Sequence, residues 1–247
     1  MDSIRLDKFI SDAGIASRRE GIRLIKAGFV VVDGVTALSG ALKIDPQSAV
    51  ISVSGKTLTY QKYHYLMLNK PAGVVSATED RGEKTVNDLL EGPWAHIGLF
   101  PAGRLDKDAE GLMILTDDGA FAHRVLSPSK HVYKTYYVET KGALTSQDAE
   151  AFKNGVMLKD GLCCLPASLQ IISADFTSAA YVRICEGKYH QVKRMLASQG
   201  KPVTFLKRVA VGGLRLDARL QPGAYREMTQ EELACVFEPI DIWKNIV

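Results

Sequence analysis

Leu6, Phe9, Ile10 and Ala13 recur at helical spacing and stop at Gly14, so the chain opens on a short amphipathic helix closed by a glycine. Ser17 and Glu20 form an S-x-x-E capping box, which predicts a second helix ending at Gly28. Phe29–Val32, an Asp33-Gly34 turn and Val50–Val53 then read as strands, completing a small α+β unit. Between Ser54 and Lys62, Gly, Thr, Ser and Lys replace apolar periodicity, and a linker is expected there.

The pattern then becomes mainly strand-like. Tyr65–Leu68, Leu112–Leu115, Lys134–Glu139, Ala179–Cys185 and Val203–Val211 are short apolar or β-branched runs. Asn69–Gly73 is expected to turn, because Pro71 disfavours helix on both sides, and Thr85–Leu90 looks like a helical turn. Asp117-Asp118-Gly119 should cap a helix over 120–126 that Pro128 stops, and a further helix is expected from Thr145 to Lys153, ended by Gly155. A last helix should start at Thr229, with Glu232 closing a second capping box. Tyr136 and Tyr137 are adjacent on one strand and so must point to opposite faces.

One loop stands out from this framework. Gly103–Gly119 reads G-R-L-D-K-D-A-E-G-L-M-I-L-T-D-D-G, with Asp106, Asp108 and Glu110 at alternate positions at the mouth of an apolar strand. The D-x-D-x-D-G spacing of a calcium loop is present, but Pro101 and Gly103 break the helix such a loop needs before it. A solvated acidic turn is the bland reading, and it leaves Arg104, two residues before the first aspartate, unexplained. The third reading is catalytic, with one carboxylate held on a tight turn beside cations.

Composition narrows the class. The 247 residues are 46% hydrophobic and 24% charged, ordinary for a globular protein of one or two domains. A net charge of +3 says little, but Tyr181–Arg226 holds ten Lys/Arg against two acids, and Glu227–Val247 reverses sign. Arg19, Arg23 and Lys26 fall on one arc of the second helix, with Arg18 beside them, a basic stripe whose plainest reading is a solvated face. The four cysteines lack C-x-x-C spacing and fit buried thiols in a reducing cytosol. The histidines lack metal-site spacing, so no metal is expected, and no membrane span or signal peptide is expected either.

The loop closely resembles the catalytic motif of RNA pseudouridine synthases, in which the aspartate of G-R-L-D is essential. That aspartate is Asp106. Three further stretches agree: Asn69-Lys70-Pro71-Ala72-Gly73 resembles the opening N-K-P-x-G motif, Lys134-x-Tyr136-x-Val138 the K-x-Y-x-V motif, and Glu186–Leu196 the basic third motif. The resemblance implies that Tyr136 stacks on the target base, that Lys193, more than Arg194, pairs with Asp106, and that Arg104 lies near the vacated base or on phosphate. It also implies structural support from Lys70 and Pro71, and RNA contacts from His190, Gln191 and Arg194; Lys207 and Arg208 are expected to be exposed or on RNA. Asp108 and Glu110 are expected to be structural, since a second free carboxylate would raise the pKa of Asp106.

Residues 3 to 50 resemble the S4 RNA-binding domain, which implies backbone contacts from Arg5, Lys8, Ser17, Arg18, Arg19 and Lys26. The expected architecture is α+β: an S4 domain over 1–60 and a catalytic domain over 61–247, built on a mixed, largely antiparallel sheet flanked by helices. The S4 domain together with T-D-D-G, H-R-V-L-S-P and H-Q-V-K-R-M resembles the RsuA type, which isomerises one uridine of small-subunit (16S) ribosomal RNA. The expected enzyme is therefore a cytoplasmic monomer acting without a cofactor on that RNA or on assembling small subunits. Asp106 would serve as nucleophile or as proton acceptor at C2′. Large-subunit (23S) RNA as substrate and a non-catalytic assembly factor are the other readings.

Overall fold

The computed structural model describes residues 3–238, and the outer ends of both expected spans lie outside them. The chain folds into two compact units, one formed by the residues up to His64 together with Asn87–Phe100, the other by Tyr65–Val86 and the chain from Pro101 onward.

In the first unit, helices Leu6–Asp12 and Arg18–Lys26 pack on a sheet ordered 35–36, 30–32, 51–53, 56–57. The reciprocal bonds of the Ser17–Glu20 box are both present. Asp33 and Gly34 both take positive φ (50° and 80°), the geometry of a tight hairpin turn. Leu6, Phe9, Ile10, Ile25, Val30 and Ile51 form the core. The expected linker is part of this unit instead: Ser54-Gly55 turn Lys56–Thr57 back onto Ile51–Val53, and Leu58 and Tyr60 pack on the core, with Tyr60 stacked on Phe9 at 5.6 Å. Segment 87–100 joins this unit as well. A short 3-10 turn over Asn87–Leu89 replaces the expected helical turn, and Pro93 presses so closely on Gly14 that a Cβ there would lie 2.5 Å away.

The second unit is a mixed sheet ordered 168–174, 177–184, 134–141, 203–211, 110–116, 65–70, 225–227. The pairs along this order are antiparallel except for 203–211 against 110–116, which run parallel. Helices Gly119–Leu126, Ser146–Asn154 and Gln191–Ser198 accompany it, giving the expected α+β class. The buried apolar run over 110–116 occupies an inner position, where both faces are covered. That strand also removes the calcium reading, because Leu112 and Ile114 are core side chains and cannot turn oxygens toward an ion. Asn69 and Lys70, expected in a turn, extend the first strand, and the turn begins at Pro71. The edge strand Ser168–Ala174 was not legible in the sequence: its residues are mostly exposed and follow no clean alternation. Among the described residues no helix is long and apolar enough to cross a membrane.

Gly111 sits where three strands meet, paired with both Lys70 and Arg208. Its φ is 102°, and a Cβ would lie 2.2 Å from the Arg208 carbonyl oxygen. Gly111→Ala is expected to lower stability by about 3 kcal/mol or more, measured by urea unfolding.

Candidate active site

The loop from Gly103 to Glu110 is fixed from below before any of its side chains reach out. Lys70 is fully buried, and its ammonium donates to the carbonyls of Pro71 (3.0 Å), Lys107 (3.2 Å) and Ala109 (2.8 Å). The buried Ser76 hydroxyl donates to the Leu105 carbonyl at 2.7 Å and accepts from the Leu105 N–H at 3.0 Å. Gly73 N–H donates to the Lys107 carbonyl at 2.8 Å, and Ala109 N–H closes the turn onto the Asp106 carbonyl at 3.1 Å. Asp106 thus sits on a backbone tied on both sides, the arrangement that positions a reacting group.

Burial pushes the Lys70 ammonium down to about 8, although Asp108, Asp106 and Glu110 pull the other way. The folded value lies below the ordinary 10.5, so between the two the unfolded chain binds more protons and the stability this group confers rises with pH. The wild type is expected to gain stability over Lys70→Met in urea unfolding as pH rises from about 8 to 10.5; a constant difference would contradict this assignment.

Lys193, on helix Gln191–Ser198, reaches the same loop. Its Nζ lies 3.1 Å from Asp106 Oδ2 and 2.6 Å from Asp108 Oδ1. Burial lowers the Lys193 ammonium, but the bonds to Asp108 and Asp106 outweigh burial and hold it above its ordinary value. The Lys193 hydrogen bond in turn holds the Asp108 carboxyl below the usual range. Asp108 therefore competes with Asp106 for one cation, a sharing that no motif spacing reveals. His190 Nε2 stands 3.5 Å from Asp106 Oδ1, with the exposed Tyr189 ring stacked on it at 3.8 Å.

Asp106 faces a cavity of roughly 460 Å³ that Arg104, Tyr136, Ile184, Val192, Leu206 and His190 also line. Tyr136 is buried with its ring on this cavity, whereas Tyr137, half-buried on the other face, donates its hydroxyl to Glu139 at 3.0 Å. Arg104 is exposed at the rim and makes no hydrogen bond or ion pair among the described residues. Ile184, Val192 and Leu206 give the cavity apolar walls; Ser76, Ile184 and Leu206 carried no signal that could be told from ordinary packing.

Other residues expected on RNA are engaged within the protein. Gln191 is buried, its amide donating to Glu186 at 2.7 Å and accepting from the Lys188 N–H at 2.9 Å, so it braces the turn into the helix. Arg194 pairs with Asp160 and lies off the Asp106 cluster. Arg208 is turned inward, because Leu206, Arg208 and Ala210 share the buried face of their strand; Lys207 is half-buried.

Within the first unit, Arg5 donates to the buried Asp7 at 3.0 and 2.8 Å, and Arg18 to the same carboxylate at 3.2 and 3.3 Å. Arg5, with Arg18, holds the Asp7 carboxyl below its ordinary value. Lys8 pairs with Asp12 at 2.5 Å, and the Ser17 hydroxyl belongs to the capping box. Arg19, Arg23 and Lys26 are exposed and make no ion pair or hydrogen bond among the described residues, so this stripe of the unit is open to solvent.

A family model described as RNA pseudouridylate synthase matches residues 64–198, and one described as S4 domain matches residues 4–50. A relative in Bacillus subtilis (strain 168), named uncharacterized RNA pseudouridine synthase YtzG, is 45% identical over 237 residues, 96% of this chain and 99% of its own length. Ribosomal small subunit pseudouridine synthase A of Escherichia coli (strain K12) is 42% identical over 237 residues, 94% of this chain and all of its own. A crystal structure of a pseudouridylate synthase superposes with a TM-score of 0.66 at 36% identity, over 95% of this chain and 100% of that one.

Proposed function

The chain belongs to the RNA pseudouridylate synthase family, and from that premise we propose that it isomerises one uridine of small-subunit ribosomal RNA, with Asp106 as the group that acts on the target nucleotide. The observation that carries the assignment is the ion pair at the cavity: Asp106 held by Lys193 at 3.1 Å, in a cavity that the buried Tyr136 also lines. The likeness to the small-subunit enzyme of Escherichia coli along its full length supports the choice of RNA.

The reaction breaks the N1–C1′ bond, turns the uracil and joins C5 to C1′; the C5 hydrogen leaves as a proton and N1 takes one up. Nothing is oxidised and no group is lost, so no cofactor is required. A base inside a stack cannot turn, and the target must be extruded into the cavity. Tyr136 offers a face for the uracil, and the apolar walls exclude water from the sugar. Whether Asp106 attacks C1′ or removes the C2′ proton, it must be ionised and fixed, and Lys193 with the tied loop provides both conditions. Arg104, unpaired at the rim, is placed to occupy the space the base vacates or to hold phosphate.

The Arg19, Arg23 and Lys26 stripe of the S4 domain supplies backbone affinity, and His190 borders the strand near Asp106. Ribosomal RNA as substrate implies work in the cytoplasm, on RNA or assembling subunits, and we propose that the chain acts there as a monomer. Replacing Arg19, Arg23 and Lys26 together by alanine is expected to raise KM and to flatten the salt dependence of RNA binding by about 2 log units per log salt, with kcat little changed.

Because H5 must leave, RNA carrying tritium at C5 of uridine reports the reaction directly. Tritium release from small-subunit RNA and none from large-subunit RNA is the expected outcome. Release only from large-subunit RNA would move the substrate, and no release from either would favour a binding factor.

A further inference from the structure

Beside the catalytic cavity lies a second one, of roughly 670 Å³, to which Tyr136, Arg104 and Ser76 also contribute. Its distinguishing feature is charge. Lys134 and Arg208 line it, only 7% and 4% exposed, on the same sheet face as Tyr136: Tyr136 pairs with Arg208 across the strands, and Lys134 lies two residues before Tyr136.

Neither cation has a carboxylate. Lys134 donates to the Val125 carbonyl at 2.9 Å, and Arg208 donates through Nε to the Leu112 carbonyl at 2.7 Å. The two terminal nitrogens of Arg208 make no hydrogen bond among the described residues. Burial, with the neighbouring Arg208 charge, pushes the Lys134 ammonium down to about 8, the mark of a cation short of counter-charge. Glu186 reaches the cavity, but its carboxylate is already engaged by Lys188 at 2.8 Å, Gln191 at 2.7 Å and the Leu165 N–H at 2.9 Å. Two buried, unneutralised cations are costly unless an anion meets them. A guanidinium fork with free donors matches the oxygens of phosphate.

We propose that this cavity is a phosphate subsite, in which Lys134 and Arg208 hold a phosphate group of the substrate strand next to the target nucleotide. The inference rests on the function proposed above for the adjoining cavity. It gives the enzyme a grip on the strand that reads no sequence but fixes the sugar relative to Asp106.

The test uses the full chain labelled with 15N-arginine, the Arg208 Nε–H signal being assigned with Arg208→Lys. Inorganic phosphate should shift that signal saturably, uridine 3′- or 5′-monophosphate should do so at lower concentration, and uridine should leave it unmoved. Leu126 lines the cavity and is 48% exposed, so Leu126→Glu places a negative charge there without touching a buried cation. It should weaken the phosphate response about tenfold, while Leu126→Gln retains it. No shift with phosphate or either nucleotide, an equal shift with uridine, nucleotides no better than free phosphate, or identical behaviour of the two Leu126 variants would each overturn the proposal. Tritium release from ribosomal RNA is read separately, so a wild type that turns over without a phosphate-dependent shift sinks the subsite and leaves the activity standing.

Discussion

Asp106→Asn is expected to lower pseudouridine formation by at least about 10³-fold while the protein stays folded. The substitution keeps the shape of the side chain and removes only its charge. Asp106 is partly exposed, with a side-chain accessibility of 22%; its ion-pair partner is Lys193, and His190 Nε2 lies 3.5 Å from it. Loss of such a pair costs at most about 1 kcal/mol of stability. Lys193 retains Asp108 at 2.6 Å, so no cation is orphaned. Rate and fold therefore separate: kcat for the variant should collapse with the melting temperature close to that of the wild type. A fall in both together would mean that Asp106 serves the loop rather than the chemistry.

Lys193→Gln should have the next largest effect, a loss of about 10²-fold in kcat. With the ammonium gone, Asp106 and Asp108 face each other across the loop with no shared cation. Asp106 then loses the cation that fixes its carboxylate at the cavity, and the loss should fall on kcat rather than on KM. Lys193→Arg should restore part of the rate. Asp108→Asn provides the contrast: it leaves Lys193 to Asp106 alone and should cost little in rate. A loss confined to KM in Lys193→Gln would show that the lysine acts elsewhere than on Asp106.

Local signals with a backbone mechanism were legible in the sequence. The Ser17–Glu20 and Thr229–Glu232 boxes, the Asp118 cap and the Asp33-Gly34 turn form because hydroxyls, carboxylates and glycines act on groups within four residues of themselves. Strand alternation likewise separated the faces of Tyr136 and Tyr137. What distant chain supplies was not legible. Tyr60 reads as linker until Phe9 lies beneath it, and Ser168–Ala174 becomes a strand through its pairing with 177–184. The same holds at the site. The motifs named Asp106, Tyr136 and Lys193, but Lys193 dividing itself between two aspartates, Gln191 facing inward and Asp7 gathering Arg5 and Arg18 all depend on where helices settle. Charge alone also leaves Arg208 either exposed or on RNA; it is not exposed, and lies inside on the face that carries the cavity.

Mapping pseudouridine in small-subunit and large-subunit ribosomal RNA after incubation with the wild type and with Asp106→Asn shows whether one uridine is isomerised and whether Asp106 is needed for it. One new site in small-subunit RNA, absent with the variant, is the predicted result. A site that also appears with Asp106→Asn would contradict the account, because the isomerisation would then not depend on the carboxylate around which the cavity is built.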